Sequence, residues 1–330
     1  MLEHGGNLRA ARLHYGGDDW IDLSTGINPA GYPAPAPSAD AWQRLPEPSP
    51  DLVRAACDYY GAPQLLPVAG TQAAIQALPR LRAPARVTVA APSYAEHAQH
   101  WGRHGHQLRQ VPYDALDAAV ETSDVLVVCN PNNPTGALVA PERLLDWHAR
   151  LAARGGWLVV DEAFGDTARS LGIAAHADAE GLIVLRSVGK FFGLAGLRLG
   201  FVGAAPTLLQ ALEDLLGPWA VSGPAQEIAI AALSDAAWQR ATQERLARDG
   251  ARMRTLLAGA GIQASGTPLF HWWPEAQAEA FHDHMARRAI WVRLFREAAR
   301  GIRVGLPASE AHWRRIEHAL QEWTREWTER

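Results

Sequence analysis

The sequence predicts an α/β protein, with a large, doubly wound, mostly parallel sheet domain and a smaller α+β domain. Three observations carry that reading. Short β-rich runs alternate with helical stretches from Arg86 to Gly203, three of those runs are apolar on both faces, and beyond Ser222 the chain turns helical and amphipathic. Alternation calls for parallel strands joined by crossover helices, and runs without a polar face belong inside a covered sheet.

The first fifty residues carry Pro29, Pro33, Pro35, Pro37, Pro46, Pro48 and Pro50, and read as an extended arm. A helix follows from Asp51 to Tyr60, and a glycine turn at Gly70 opens a second helix that runs through Leu78. Strands are predicted at Arg86 to Ala91, Val125 to Cys129, Trp157 to Val160, Leu182 to Arg186 and Leu199 to Gly203. A long helix should run from Gly223 to Leu257 with a break near Ser234. A second β-rich patch spans Leu269 to Trp273, Ile290 to Leu294 and Gly301 to Val304. The last helix shows Trp313, Ile316, Leu320, Trp323 and Trp327 at steps of three and four, one apolar stripe. Residues 1–50 are therefore assigned to an arm and part of the small domain, 51–222 to the large domain, and 223–330 to the connecting helix and carboxy-terminal small domain.

Composition excludes several classes. With 48% hydrophobic and 20% charged residues, the chain is neither disordered nor fibrous. The longest uncharged run, Tyr59 to Pro79, holds three prolines and is no membrane helix. The opening Met1 to Asn7 lacks the basic and apolar regions of a signal peptide, so a soluble cytoplasmic protein is expected. Net charge is −4, with no basic stripe to grip nucleic acid. Cys57 and Cys129 sit in apolar surroundings without metal-ligand spacing, and no disulfide is expected. Of the 31 basic side chains, the one lysine is Lys190. Arginine does not deprotonate, so chemistry that needs a neutral side-chain amine has a single candidate.

Polar residues that no core requires follow three of the predicted strands: Asn133, Asp161 and Lys190, spaced 28 and 29 residues apart, about one βα unit each. Ligands of open α/β sheets bind beyond the carboxyl ends of the strands, where these three would converge. Pyridoxal phosphate calls for this set. Its aldehyde needs an amine (Lys190), its ring nitrogen a carboxylate (Asp161) and its phenolate oxygen a donor (Asn133). Its phosphate needs hydroxyls, an arginine and a helix start, for which Ser187, Arg198 and the Gly70-Thr71-Gln72 turn are candidates. Tyr94 follows a strand end, where its ring would stack on the pyridine. Each element alone is common; the combination is specific. Ser187-Val188-Gly189-Lys190 is no P-loop, since the upstream glycine is missing and Phe191 stands where Ser or Thr is required. Gly193, Gly196 and Gly200 likewise do not make a dinucleotide fingerprint.

The chain resembles the fold-type I pyridoxal-phosphate enzymes, of aspartate aminotransferase-like fold. The motifs are Asn-Pro-Asn-Asn-Pro-Thr-Gly at 130–136, Asp-Glu-Ala-Phe at 161–164, Ser-x-x-Lys at 187–190, Arg198, and Gly-Ile-Arg-Val-Gly at 301–305. The resemblance implies that Lys190 and Asp161 are the catalytic pair, that Arg303 holds a substrate carboxylate, and that the sites form between two protomers of a homodimer. Within these enzymes the chain is similar to the threonine-phosphate decarboxylases of cobalamin biosynthesis, relatives of the histidinol-phosphate aminotransferases. His4-Gly5-Gly6-Asn7 and Ile27-Asn28-Pro29 match the decarboxylases, as does Phe164 where aminotransferases usually carry tyrosine. The implied substrate is a phosphorylated amino acid, L-threonine O-3-phosphate, with His4, Asn28 and Arg293 on its phosphate. The alternative is histidinol-phosphate aminotransferase, with amino transfer to 2-oxoglutarate. A non-catalytic regulator on the same fold would need an added basic domain, for which there is no room before residue 51.

Two departures from the family pattern stand out. Leu45 replaces a tyrosine that reaches the partner's cofactor phosphate, and Gln72 replaces the small third residue of the phosphate turn. His97, His100 and His104 share a helical face but lack a carboxylate or cysteine to complete a metal set, and are expected to be exposed. No metal is expected. Arg287, Arg288, Arg296 and Arg300 read as a solvated cluster.

Overall fold

The computed structural model describes residues 4–297 and 299–328. The chain divides into two compact units. One comprises Gly31–Asn133 and Ala137–Arg240; the other comprises the residues up to Ala30, Pro134–Gly136 and those from Ala241 onward.

The larger unit is built on seven strands: β1 (Leu66–Val68), β2 (Arg86–Ala90), β3 (Gln107–Val111), β4 (Val125–Cys129), β5 (Trp157–Asp161), β6 (Leu182–Ser187) and β7 (Gly200–Gly203). Their order across the sheet is β1-β7-β6-β5-β4-β2-β3. Every neighbouring pair is parallel except those made by β7, which runs against both β6 and β1. Strands β4, β5 and β6 are central and almost wholly buried, which is why their sequences are continuous apolar runs. Val127, Val159, Ile183, Leu185 and Val202 share one core cluster with Ile75 and Trp101.

The polarity of the strands decides where their loops emerge. Parallel strands β2, β4, β5 and β6 send their carboxyl ends to one edge. Because β7 is reversed, its amino end, preceded by Arg198, reaches the same edge, where Gly200 pairs with Ser187. Strand β1 runs against β7 and so delivers the turn at Gly70 there too. A single reversed strand thus gathers turns distant in sequence.

The smaller unit carries an antiparallel four-stranded sheet in the order β10-β11-β9-β8, from β8 (Ser265–Thr267), β9 (Phe270–Pro274), β10 (Arg293–Phe295) and β11 (Gly301–Val304). A two-residue parallel pair, Ile21–Asp22 with Ile290–Trp291, ties in the amino-terminal segment. The arm is less extended than its prolines suggested. It includes a helix at Leu8–Tyr15, capped by the Asn7 side chain, and a short one at Ala39–Gln43. The long helix is interrupted as expected: Gly223–Ser234 and Ala236–Gly259 meet at Asp235, whose φ of −88° and ψ of 77° are not helical. In the last helix, Glu310–Thr328, the stripe residues Trp313, Ile316, Leu320 and Trp323 are buried. Among the described residues no helix is long and apolar enough to cross a membrane, and both cysteines are free thiols.

One buried group should make the smaller unit sensitive to acid. His271 of β9 is 0% exposed, and neither ring nitrogen has a hydrogen-bond partner. Burial, reinforced by Arg254 and only weakly opposed by the Gly250 backbone, pushes its pKa down to about 4. The unfolded chain takes up this proton near pH 6.5, the folded one only near pH 4, so stability is full above pH 6.5 and declines as pH falls between the two. The decline should reach about 3 kcal/mol. His271→Leu is expected to lose less melting temperature than wild type between pH 7.5 and 5. Equal losses would show that His271 is not the acid-sensitive group.

Candidate active site

The edge described above opens into a cavity of about 180 Å³ lined by Gly70, Thr71, Gln72, Tyr94, Asn133, Asp161, Ser187, Lys190 and Arg198, together with Cys129 and Phe164. All nine residues that the sequence nominated around a cofactor line this one cavity. Asp161 ends β5 opposite Cys129 of β4, and Lys190 lies three residues beyond the end of β6. The Lys190 Nζ stands 5.2 Å from the centre of the Phe164 ring. Arg198 adopts the left-handed conformation (φ 54°), and its Nη1 donates to the Ala195 carbonyl at 3.1 Å.

Asp161 is held from two sides. Its Oδ1 accepts from the Ala163 N–H at 3.0 Å, and its Oδ2 lies 2.9 Å from His97 Nε2. His97 is 1% exposed. Burial alone would lower its pKa, but the hydrogen bond to Asp161 and the proximity of Cys129 outweigh burial and raise it to about 10. His97 therefore carries its proton at neutral pH and donates it to Asp161, keeping a negative oxygen fixed at a buried position. The sequence missed this residue. Its signal is the Tyr94–His97 spacing of three, which puts both on one face of the helix that starts at Ala95.

The histidine face expected to be exposed is exposed only at His104; His97 and His100 are buried. His97 pairs with Asp161, His100 with Glu96 at 3.1 Å, and His104 Nδ1 with the His100 carbonyl at 2.7 Å. His97, Cys129 and Asp161 do bring three donor atoms within 4.8 Å of one another. The carboxylate and the cysteine that the sequence reading found missing beside these histidines thus stand at His97.

A buried ion network holds the loop after Asp161. Glu162 accepts from Arg186 Nη1 at 2.5 Å and from the Ile173 N–H at 2.8 Å, while Arg186 Nη2 donates to Asp166 at 3.0 Å. Burial raises both carboxyl pKa values despite the shared guanidinium. Removing one member of such a set costs about 3–5 kcal/mol, because it strands a buried charge.

The cavity fits pyridoxal phosphate on its own geometry. One amine, one buried carboxylate and one amide converge, and the turn at Gly70 is built for close approach. Gly70 has φ 71°, and a Cβ there would lie 2.7 Å from Arg198 Nη2. A Cβ at Gly200 would lie 2.7 Å from the Thr71 N–H. Backbone and guanidinium thus meet at the start of helix Thr71–Ala77, whose first N–H groups have no intrahelical acceptor. The Gln72 side chain is engaged elsewhere, donating to Glu96 at 2.9 Å and accepting from the Tyr94 hydroxyl at 3.2 Å.

The residues nominated for substrate lie in the smaller unit. Arg293 and Arg303 are directly opposite each other on antiparallel strands β10 and β11. Like charges in that position repel unless an anion joins them. Burial, then Arg293, pushes the Arg303 pKa down to about 9, with Asp22 opposing. Arg303 Nη2 donates to the Ser24 carbonyl at 2.5 Å. Gly5 and Gly6 dock on the same Ser24: the Gly6 N–H donates to Ser24 Oγ at 2.7 Å, and a Cβ on Gly5 would collide with the Ser24 carbonyl oxygen at 2.4 Å. The glycine pair therefore brings the segment bearing His4 to the residue that Arg303 grips. Asn28 Oδ1 accepts from Ala30 N–H at 3.0 Å and from Arg245 Nη2 at 2.9 Å, which adds an arginine the sequence did not single out. In the cluster read as solvated, Arg287 pairs with Asp283, Arg288 with Glu322 and Arg300 with Glu279.

Comparison with known proteins agrees with this geometry. The chain is 50% identical to threonine-phosphate decarboxylase of Pseudomonas aeruginosa over 97% of each chain. It is 44% identical to threonine-phosphate decarboxylase of a Sinorhizobium species, again over 97% of each. In fold it is similar to a histidinol-phosphate aminotransferase from Sinorhizobium meliloti solved in complex with pyridoxal-5'-phosphate, with a TM-score of 0.85 at 23% identity, covering 99% of this chain and 96% of that one. Residues 20–316 match the aminotransferase class I and II family, and the chain belongs to that family.

Proposed function

We propose that the protein is a pyridoxal-phosphate-dependent carboxy-lyase that converts L-threonine O-3-phosphate to (R)-1-amino-2-propanol O-2-phosphate and CO₂, as in cobalamin biosynthesis. The observation that carries this reading is near-full-length similarity to two decarboxylases of that substrate, at 50% and 44% identity. The similarity to a histidinol-phosphate aminotransferase, at 23%, speaks for the fold.

When bound, the cofactor supplies an electron sink conjugated to the substrate α-carbon. Lys190 would hold the cofactor covalently, and its amine would be the group available to return a proton to the substrate α-carbon. Asp161, fixed by protonated His97, keeps the ring nitrogen protonated. Asn133 would donate to the ring oxygen, and Tyr94 would stack on the ring. Ser187, Arg198 and the backbone at Gly70-Thr71-Gln72 would hold the phosphate. Phe164 brings an apolar ring rather than a phenol near Lys190, so this position donates no hydrogen bond to the ring oxygen. Which bond breaks depends on which substituent is held perpendicular to the ring. We assign the carboxylate to Arg303, whose planar fork suits bidentate pairing, and the phosphate to Arg293, His4 and Asn28.

We further propose that the enzyme works as a cytoplasmic homodimer. Trp42, Leu45 and Trp219 of the larger unit are large apolar side chains left exposed, as surfaces covered by a second copy would be.

A site built for the phosphate should discriminate. Turnover per unit KM on threonine O-3-phosphate is expected to exceed that on unphosphorylated threonine by at least about 100-fold, since buried cations lacking their anion penalise the smaller substrate. Deleting residues 1–7, of which 1–3 lie outside the described residues, should raise the KM for threonine phosphate about tenfold while leaving cofactor absorption unchanged. Equal use of both substrates would remove the phosphate ester from the reading, and an unchanged KM would strike His4 from the site.

A further inference from the structure

A second line of polar contacts runs beside the cavity, and its outer member, Glu96, has no part in the chemistry above. Glu96, 8% exposed, lies in the first turn of the helix Ala95–Arg103. Its Oε2 accepts from Gln72 Nε2 at 2.9 Å and lies 3.1 Å from His100 Nε2. At the other end of the same amide, Gln72 Oε1 accepts from the Tyr94 hydroxyl at 3.2 Å. Both Gln72 and Tyr94 line the cavity, whereas Glu96 does not.

The two ends of an amide are close in shape and opposite in chemistry. A carboxylate only accepts, so it selects the NH₂ end of Gln72 and leaves the oxygen for Tyr94. Reversing the amide would set its oxygen against the buried Glu96 carboxylate, acceptor to acceptor, and cost the hydrogen bond between them. Glu96 thereby decides which way Gln72 points. Gln72 in turn offers the Tyr94 hydroxyl an acceptor, which fixes the plane of the phenol ring. Burial, with Glu96 next, raises the Tyr94 pKa, so the hydroxyl keeps its proton and remains the donor this arrangement needs.

We propose that Glu96 is a positioning residue: acting through Gln72, it sets the tilt of the Tyr94 ring against the cofactor. This rests on the pyridoxal-phosphate reading of the cavity. It also accounts for glutamine in the phosphate turn, where the side chain serves the ring rather than the phosphate.

The test is a double-mutant cycle on the full-length holoenzyme with Glu96→Gln, Tyr94→Phe and the pair. Visible circular dichroism of the bound cofactor and cofactor affinity for the stripped protein are read alongside kcat. Glu96→Gln keeps the shape but lets either end of Gln72 face it. Each single variant should weaken the dichroic band and loosen the cofactor about fivefold, the scale of one hydrogen bond. The pair should be no worse than Tyr94→Phe alone, because without the hydroxyl Glu96 has nothing to transmit. Effects that multiply in the pair, or a Glu96→Gln enzyme with unchanged dichroism and affinity, would overturn the proposal. Should Glu96→Gln fail to fold, Glu96→Asp, which draws the carboxylate back from Gln72, is taken through the same cycle and judged by the same criterion. Failure of the cofactor reading shows itself elsewhere, as a borohydride-reducible cofactor bond that survives Lys190→Ala.

Discussion

Lys190→Ala is expected to fold, to lose the borohydride-reducible bond to pyridoxal phosphate, and to turn over threonine O-3-phosphate at least about 10³-fold more slowly. The effect should be the largest of any single substitution, because Lys190 is the chain's one lysine and no arginine can supply a neutral amine in its place. Its position sharpens the expectation. The amine lies in the cavity with Asp161 and Asn133, 5.2 Å from the Phe164 ring. Absorption spectra before and after borohydride, with mass spectrometry of the reduced protein, give the answer. A reducible bond that persists in the variant would place the cofactor on another group.

Asp161→Ala should slow turnover by at least about 100-fold while leaving the bond to Lys190 in place, since a neutral pyridine is a poor electron sink. The loss is larger than that of one hydrogen bond because His97 is changed as well. It would be left as a buried cation without its carboxylate, and its pKa should fall from about 10. Titration of the His97 ring by NMR would follow that fall. Activity within about tenfold of wild type, about 1.4 kcal/mol of barrier, would mean that the ring nitrogen is not held at Asp161.

Much of this site was legible because the buried strands mark their own ends. β4 and the runs Trp157–Val160 and Leu182–Leu185 inside β5 and β6 are apolar throughout, so the polar residues at and beyond their ends, which include Asn133, Asp161 and Lys190, stand out against a background that has no need of them. The direction of β7 was not legible. A run such as Gly200–Gly203 reads the same whether it lies parallel or antiparallel, yet its reversal is what carries Arg198 to the edge. β1 was missed because Leu66-Pro67-Val68 is short and contains proline, which an edge strand tolerates. β3 was missed because its exposed edge reads as a polar loop. His97 and Glu96 were hidden for another reason. Charged residues on a helix read as solvated, and only the packing of Ala95–Arg103 beside the sheet shows that both are buried.

The central claim is that the bond to the carboxylate is the one that breaks. Purified holoenzyme given carboxyl-labelled L-threonine O-3-phosphate, with no 2-oxoacid present, should release one labelled CO₂ for each substrate consumed and leave aminopropanol phosphate in solution. Retention of the label in a 2-oxoacid formed only when 2-oxoglutarate is added, or efficient amino transfer from histidinol phosphate, would contradict the account and make the protein an aminotransferase.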